Sequence, residues 1–69
     1  MTLKEYLQAN NLSQHKFLAD LKSLTGEEIK QATLARYVLG QRIPKKSQMR
    51  LIYKATDGSV SPNDFYLAD

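Results

Sequence analysis

The sequence predicts a mainly all-α domain, a compact bundle of about five short helices, and three observations carry that reading. Capping residues recur just ahead of apolar runs, at Thr2, Ser13 and Thr25. Between these marks, apolar residues return every three or four positions, the period of one helix face. Gly40, Pro44, Asp57-Gly58 and Pro62 fall where such runs stop or start.

Thr2 and Glu5 have the spacing of a capping box, each side chain accepting from the other residue's backbone N–H. Leu3, Tyr6 and Leu7 follow as one stripe, and Ala9-Asn10-Asn11 closes the first helix. Ser13 caps a second, in which Phe17, Leu18, Leu21 and Leu24 keep the period. Thr25 and Glu28 repeat the box spacing and predict a third helix start, with Ile29, Leu34, Tyr37 and Val38 on its inner side. Leu39-Gly40 ends it, because glycine readily takes the left-handed conformation that follows many helices. Beyond Pro44, residues Met49, Ile52, Tyr53 and Thr56 fit i, i+3, i+4, i+7 in a fourth helix. Ser61-Pro62-Asn63-Asp64 reads as the start of a last one, with a cap, proline in the first turn and an acid facing the helix dipole. The alternative is α+β: residues 50–60, "RLIYKATDGSV", also fit a β-hairpin turning at Asp57-Gly58. Pro62 and its cap favour the helical reading.

A chain of 69 residues has room for a single domain, 1–69, near the size where a core alone is marginally stable. Cysteine is absent, so disulfides and thiolate metal sites are excluded, and the lone His15 argues against zinc. No Ser/His/Asp set, paired carboxylates or glycine-rich phosphate loop is present. The expectation is a protein that is not an enzyme and has no cofactor, metal or small-molecule substrate. No apolar run approaches the ~20 residues that span a bilayer. The N-terminus lacks a signal-peptide layout, which predicts a cytoplasmic protein. The net charge of +3 is unevenly spread. Lys30 to Lys54 contains seven Lys or Arg and no acid, while the flanks hold three basic and seven acidic residues, a sum of −4. Like charges crowded this way repel, a cost tolerated where a polyanion binds, so nucleic acid is the leading partner class.

The segments "LSQHKFLADL" and "KQATLARYVLGQRIPKKSQMRLIYKATDGSVSPNDFY" resemble the Cro-type helix-turn-helix repressors of temperate phages and prophages. In that family a Ser-Gln opens the supporting helix, a second Gln opens the recognition helix, and Gly-x-Arg-x-Pro leads to the next helix. Here these are Ser13-Gln14, Gln31, and Gly40-Gln41-Arg42-Ile43-Pro44. The resemblance covers nearly the whole chain. It implies a recognition helix at about residues 30–39, lying in the major groove of double-stranded operator DNA. The chain departs from the family in "KSLTGEEIK", which lies between Leu21 and Gln31 and lengthens the turn. The second helix is expected to run on through Leu24 and the third to start early at Thr25, with Leu24 and Ile29 against the core.

Roles follow from this resemblance and from base chemistry. Gln31 offers a donor and an acceptor side by side, matching N6 and N7 of adenine. Ala32 lets the backbone come close, Thr33 meets a thymine methyl or a phosphate, and Arg36 reaches guanine O6 and N7 or a phosphate. Gln14 is placed to bond both a phosphate and Gln31. Lys30, Arg42, Lys45 and Lys46 are assigned to phosphates, which position the protein without reading sequence. The plainer alternative for each is an exposed polar residue on a solvated face. His15 is expected to be exposed and uninvolved, Glu27-Glu28 to cap a helix, and Tyr6, Phe17, Tyr37 and Tyr53 to be core. Val60, Phe65, Tyr66 and Leu67 offer more apolar surface than a short last helix buries. They predict a weak homodimer on a pseudo-palindromic site, unless Phe65 and Leu67 simply close the monomer core. The functional expectation is a transcriptional repressor. The rivals are a prophage or antitoxin-type regulator with the same motif, and a basic protein-interaction module that docks an acidic partner.

Overall fold

The structure, a computed structural model, describes residues 1–66. Among them the chain forms five α-helices and no strand: α1 Leu3–Ala9, α2 Gln14–Thr25, α3 Gln31–Val38, α4 Lys46–Ala55 and α5 Pro62–Tyr66. The mainly all-α expectation holds, and the hairpin alternative for residues 50–60 is corrected. Two helix starts follow their caps. The Thr2 N–H donates to Glu5 Oε1 at 2.8 Å and the Glu5 N–H to Thr2 Oγ1 at 3.1 Å. The bond from the Thr2 backbone N–H, with the Thr2 side chain second, holds the Glu5 carboxyl below its ordinary range. At α2, Ser13 Oγ accepts from the Lys16 N–H at 3.1 Å.

Three helices stop by one device, a left-handed residue with a bond reaching back five residues. In α1 it is Asn11 (φ 53°), with the Leu12 N–H on the Leu7 carbonyl; in α3 it is Gly40 (φ 73°), with the Gln41 N–H on the Arg36 carbonyl. In α4 it is Asp57 (φ 53°), with the Gly58 N–H on the Tyr53 carbonyl at 2.8 Å. Asp57-Gly58 therefore takes the consecutive positive φ values that a type I′ turn needs, 53° and 82°. They terminate a helix here, because the preceding residues already bond along the helix and leave no ladder for a hairpin.

The lengthened turn is real, but its capping is not as the spacing predicts. Thr25 is the last residue of α2, and its hydroxyl donates to the Leu21 carbonyl at 2.7 Å and accepts from the Glu27 N–H at 3.2 Å. Gly26 (φ 76°) then ends the helix. An N-cap needs extended backbone, and Thr25 is helical, so no box forms with Glu28, which pairs instead with Lys22. Glu27-Glu28 caps nothing, and α3 starts at Gln31 behind Lys30.

Leu3, Leu7, Phe17, Leu21, Ile29, Leu34, Tyr37, Ile52 and Val60 form the core, with α2 packed on α4 and α3, and α1 on α3. Tyr6 meets Phe17 edge to face, ring centres 6.1 Å apart. Three expectations of burial need correction. Leu24 lies on the apolar face by angle but is 60% exposed, and it is Ile29, from the turn, that is buried in the core. Tyr53 sits at the edge of the inner face of α4 and is 50% exposed. Val60 is fully buried, so it belongs to the monomer core and not to a dimer surface. Phe65 is half-buried against the core and Tyr66 is exposed, while Leu67 lies outside the described residues. No helix among the described residues is long and apolar enough to cross a membrane.

Candidate nucleic-acid interface

The outer face of α3 is set by which residues the helix buries. Leu34 and Tyr37 point inward, so Ala32 and Arg36, one turn apart, point out, with Gln31 beside them at the first position. Gln31, Ala32 and Arg36 are exposed; Thr33 is half-buried on the flank of the same face. The Tyr37 hydroxyl donates to Gln48 of α4, which ties the inner side of α3 to the helix that starts at Lys46.

Electrostatics distinguish the two halves of the protein. Outside the basic segment, Lys16 pairs with Asp20 and Lys22 with Glu28. Among the described residues, none of the seven cations from Lys30 to Lys54 has a carboxylate within ion-pair distance. The helix starts divide the same way. α1 and α2 carry side-chain caps, whereas α3 begins behind Lys30 and α4 behind Lys45, with no side-chain cap at either. A lysine at a helix start is opposed by the dipole, by about 0.3–1 kcal/mol, and leaves the first N–H groups without a protein acceptor. Both features suit an incoming anion.

Lys30, Arg42, Lys45 and Lys46 are all exposed and bracket α3 from both ends. The connection from α3 to α4 runs over Gly40 to Lys45, with Pro44 buried and Gln41, Arg42 and Ile43 exposed. Gln14 opens α2 and is half-buried, but no hydrogen bond joins it to Gln31 among the described residues. His15 is exposed. No group of three or more His, Cys, Asp or Glu is placed to hold a metal among the described residues.

Sequence reasoning passed over the outer face of α4, where Arg50, Tyr53 and Lys54 lie exposed beside Tyr66 of α5. The signal was available, since Lys46, Arg50 and Lys54 recur at i, i+4 and i+8. Exposed Leu39 and Ile43 were missed too; they share a cleft with Phe65 at the end of α3. Phe65 and Tyr66 thus serve opposite sides of α5. No protein-family model, curated protein or solved structure matches the chain.

Proposed function

We propose that this protein is a sequence-specific, double-strand DNA-binding repressor that lays α3 in the major groove of operator DNA, as a weak homodimer on a two-fold site. Gln31, Ala32, Thr33 and Arg36 read bases; Lys30, Arg42, Lys45 and Lys46 hold phosphates, and Gln14 supports them. The place of action is the bacterial cytoplasm, on the nucleoid. One observation carries the reading. The two helices that start behind lysines with no side-chain cap are α3 itself and α4, and both lie inside the longest acid-free stretch of the chain. A phosphate backbone supplies what those helix starts lack: acceptors for the N–H groups and a counter-charge for the lysines.

Selection of bound duplexes from a random pool tests the proposal and reports half-site sequence and spacing together. A two-fold-symmetric consensus is expected. Gln31→Ala and Arg36→Ala are each expected to cost about 1–3 kcal/mol at one matched base pair. With four phosphate contacts per chain, log K is expected to fall with log[salt] at a slope of about −4 per chain. Loss of specific and random binding in equal measure on Gln31→Ala would remove α3 as the reading helix.

A further inference from the structure

The proposed DNA contacts take only Lys46, at one end, from a groove of about 860 Å³ between α4 and α5. Lys46, Arg50 and Lys54 run along its wall, Met49 lies at its base, and Tyr53 and Tyr66 face it. At i, i+4 and i+8 the three cations form a row about 12 Å long that drifts only slowly around the helix. Like charges at this spacing destabilise a helix by a few tenths of a kcal/mol per pair. No acid among the described residues comes within ion-pair distance of any of the three. Asp57, at the far end, is the one carboxylate on the rim among the described residues.

The two tyrosines make the surface more than a charged one. Tyr53 is 50% and Tyr66 62% exposed, large areas for aromatic side chains of a small domain. Tyr53 is also held in place: its hydroxyl and ring lie 3.3–3.4 Å from where a Cβ on Gly58 would stand, so the ring rests on the turn that ends α4. A prepositioned aromatic ring costs little entropy on binding.

We propose that this groove docks an acidic amphipathic segment of a partner protein, its carboxylates pairing with Lys46, Arg50 and Lys54 and its apolar side chains seating on Tyr53 and Tyr66. A phosphate backbone offers charge but nothing apolar to cover the rings. Among the described residues, a second copy of this chain offers few free carboxylates to the groove. Glu5 is occupied by its cap, Asp20 and Glu28 by lysines, and Asp64 by Ser61 and the N-terminal amine. That leaves Glu27 and Asp57 among the described residues, too few to match a row of three cations. An amphipathic helix or strand rich in Glu or Asp has both properties.

The experiment is a titration of the full isotope-labelled chain, without DNA, followed by amide chemical shifts. The probe is a short synthetic peptide with Glu on one helical face and Leu and Phe on the other. Saturable shifts are expected in α4, the turn at 56–58 and α5, with a Kd of roughly 10–100 µM for so small an interface. Arg50→Glu with Lys54→Glu is expected to weaken binding at least about tenfold. Tyr66→Ala, at an exposed position, is expected to weaken it several-fold with core amide shifts unchanged. If the double variant fails to fold, Arg50→Gln and Tyr66→Ala decide. Three results would overturn the proposal: no saturable binding, equal binding of an all-Glu peptide without apolar residues, or shifts spread evenly from Lys30 to Lys54. Tighter binding of oligo-dT, with ring-current shifts at Tyr53 and Tyr66, would assign the groove to single-stranded nucleic acid instead. None of these outcomes depends on whether α3 reads DNA.

Discussion

Thr56 is 2% exposed, and its hydroxyl donates to the Ile52 carbonyl at 2.8 Å and accepts from the buried Val60 N–H at 3.1 Å. By position it is one more residue on the inner stripe of α4. By chemistry it is the bond that fixes the returning chain and so seats Val60 in the core. Thr56→Val keeps the shape and leaves that N–H without an acceptor, so a loss of about 1–3 kcal/mol is expected in urea unfolding. A Thr56→Val protein as stable as its parent would show that Val60 finds another acceptor. Asp64 offers a second test. Its carboxylate accepts from the Ser61 N–H at 2.8 Å, and also from the Ser61 hydroxyl and the N-terminal amine. The Ser61 N–H first, these bonds hold its pKa below the ordinary aspartate range. A depressed folded-state pKa means stability that is fully present above the unfolded value of about 3.9 and is lost as pH falls through the lower folded value. Thermal midpoints measured down this acid range are expected to fall less steeply in Asp64→Asn than in the parent.

At the scale of elements, the starts of α3 and α4 set stability against function. Lys30 and Lys45 occupy N-cap positions that Ser, Thr, Asp or Asn would serve better. Lys30→Ser and Lys45→Ser are each expected to stabilise the fold by about 0.5–2 kcal/mol. Each is also expected to flatten the salt dependence of DNA binding by about one unit. A gain in stability with an unchanged salt slope would detach that lysine from the phosphates. The turn between α2 and α3 is structural: a Cβ at Gly26 meets nothing within 4 Å, so only its φ of 76° resists substitution. Gly26→Ala is expected to cost about 1 kcal/mol, with DNA specificity unchanged while the protein is folded. Helix identity was legible because caps and period agree at Thr2 and Ser13, and because the period alone is clear at Met49–Ile52. The Thr25–Glu28 spacing misled because a capping box needs extended backbone at its first residue, which spacing cannot report. Leu24 and Tyr53 misled because period gives a direction around a helix and says nothing about whether a neighbour stands there. The candidate reading face was legible as far as exposure goes, since Leu34 and Tyr37 fix the inner side of α3. The α4 groove was not, because Tyr53 and Tyr66 come together only through the turn that brings α5 back.

For the whole molecule, one reading helix covers only a few base pairs, too few to single out a site in a genome. Two related by a two-fold axis, ~34 Å apart, read successive major grooves on one face of the duplex. The contact that relates them must come from apolar surface the monomer leaves open. With Val60 buried and Tyr66 beside the α4 groove, we propose for that contact the cleft where Phe65 meets exposed Leu39 and Ile43. It adjoins the C-terminal end of α3, so pairing there would couple dimerisation to the spacing of the two reading helices. A patch this small gives low affinity, and the dimer is expected to appear only at high protein concentration or on operator DNA. Sedimentation over a wide concentration range, with and without an operator duplex, measures both. Ile43→Glu is expected to abolish the free dimer and the cooperative step on DNA, while the thermal midpoint stays near that of the parent, because Ile43 is half exposed in the monomer. A protein that binds its selected site as a monomer, or a site without two-fold symmetry, would end the dimer proposal and leave α3 to read alone.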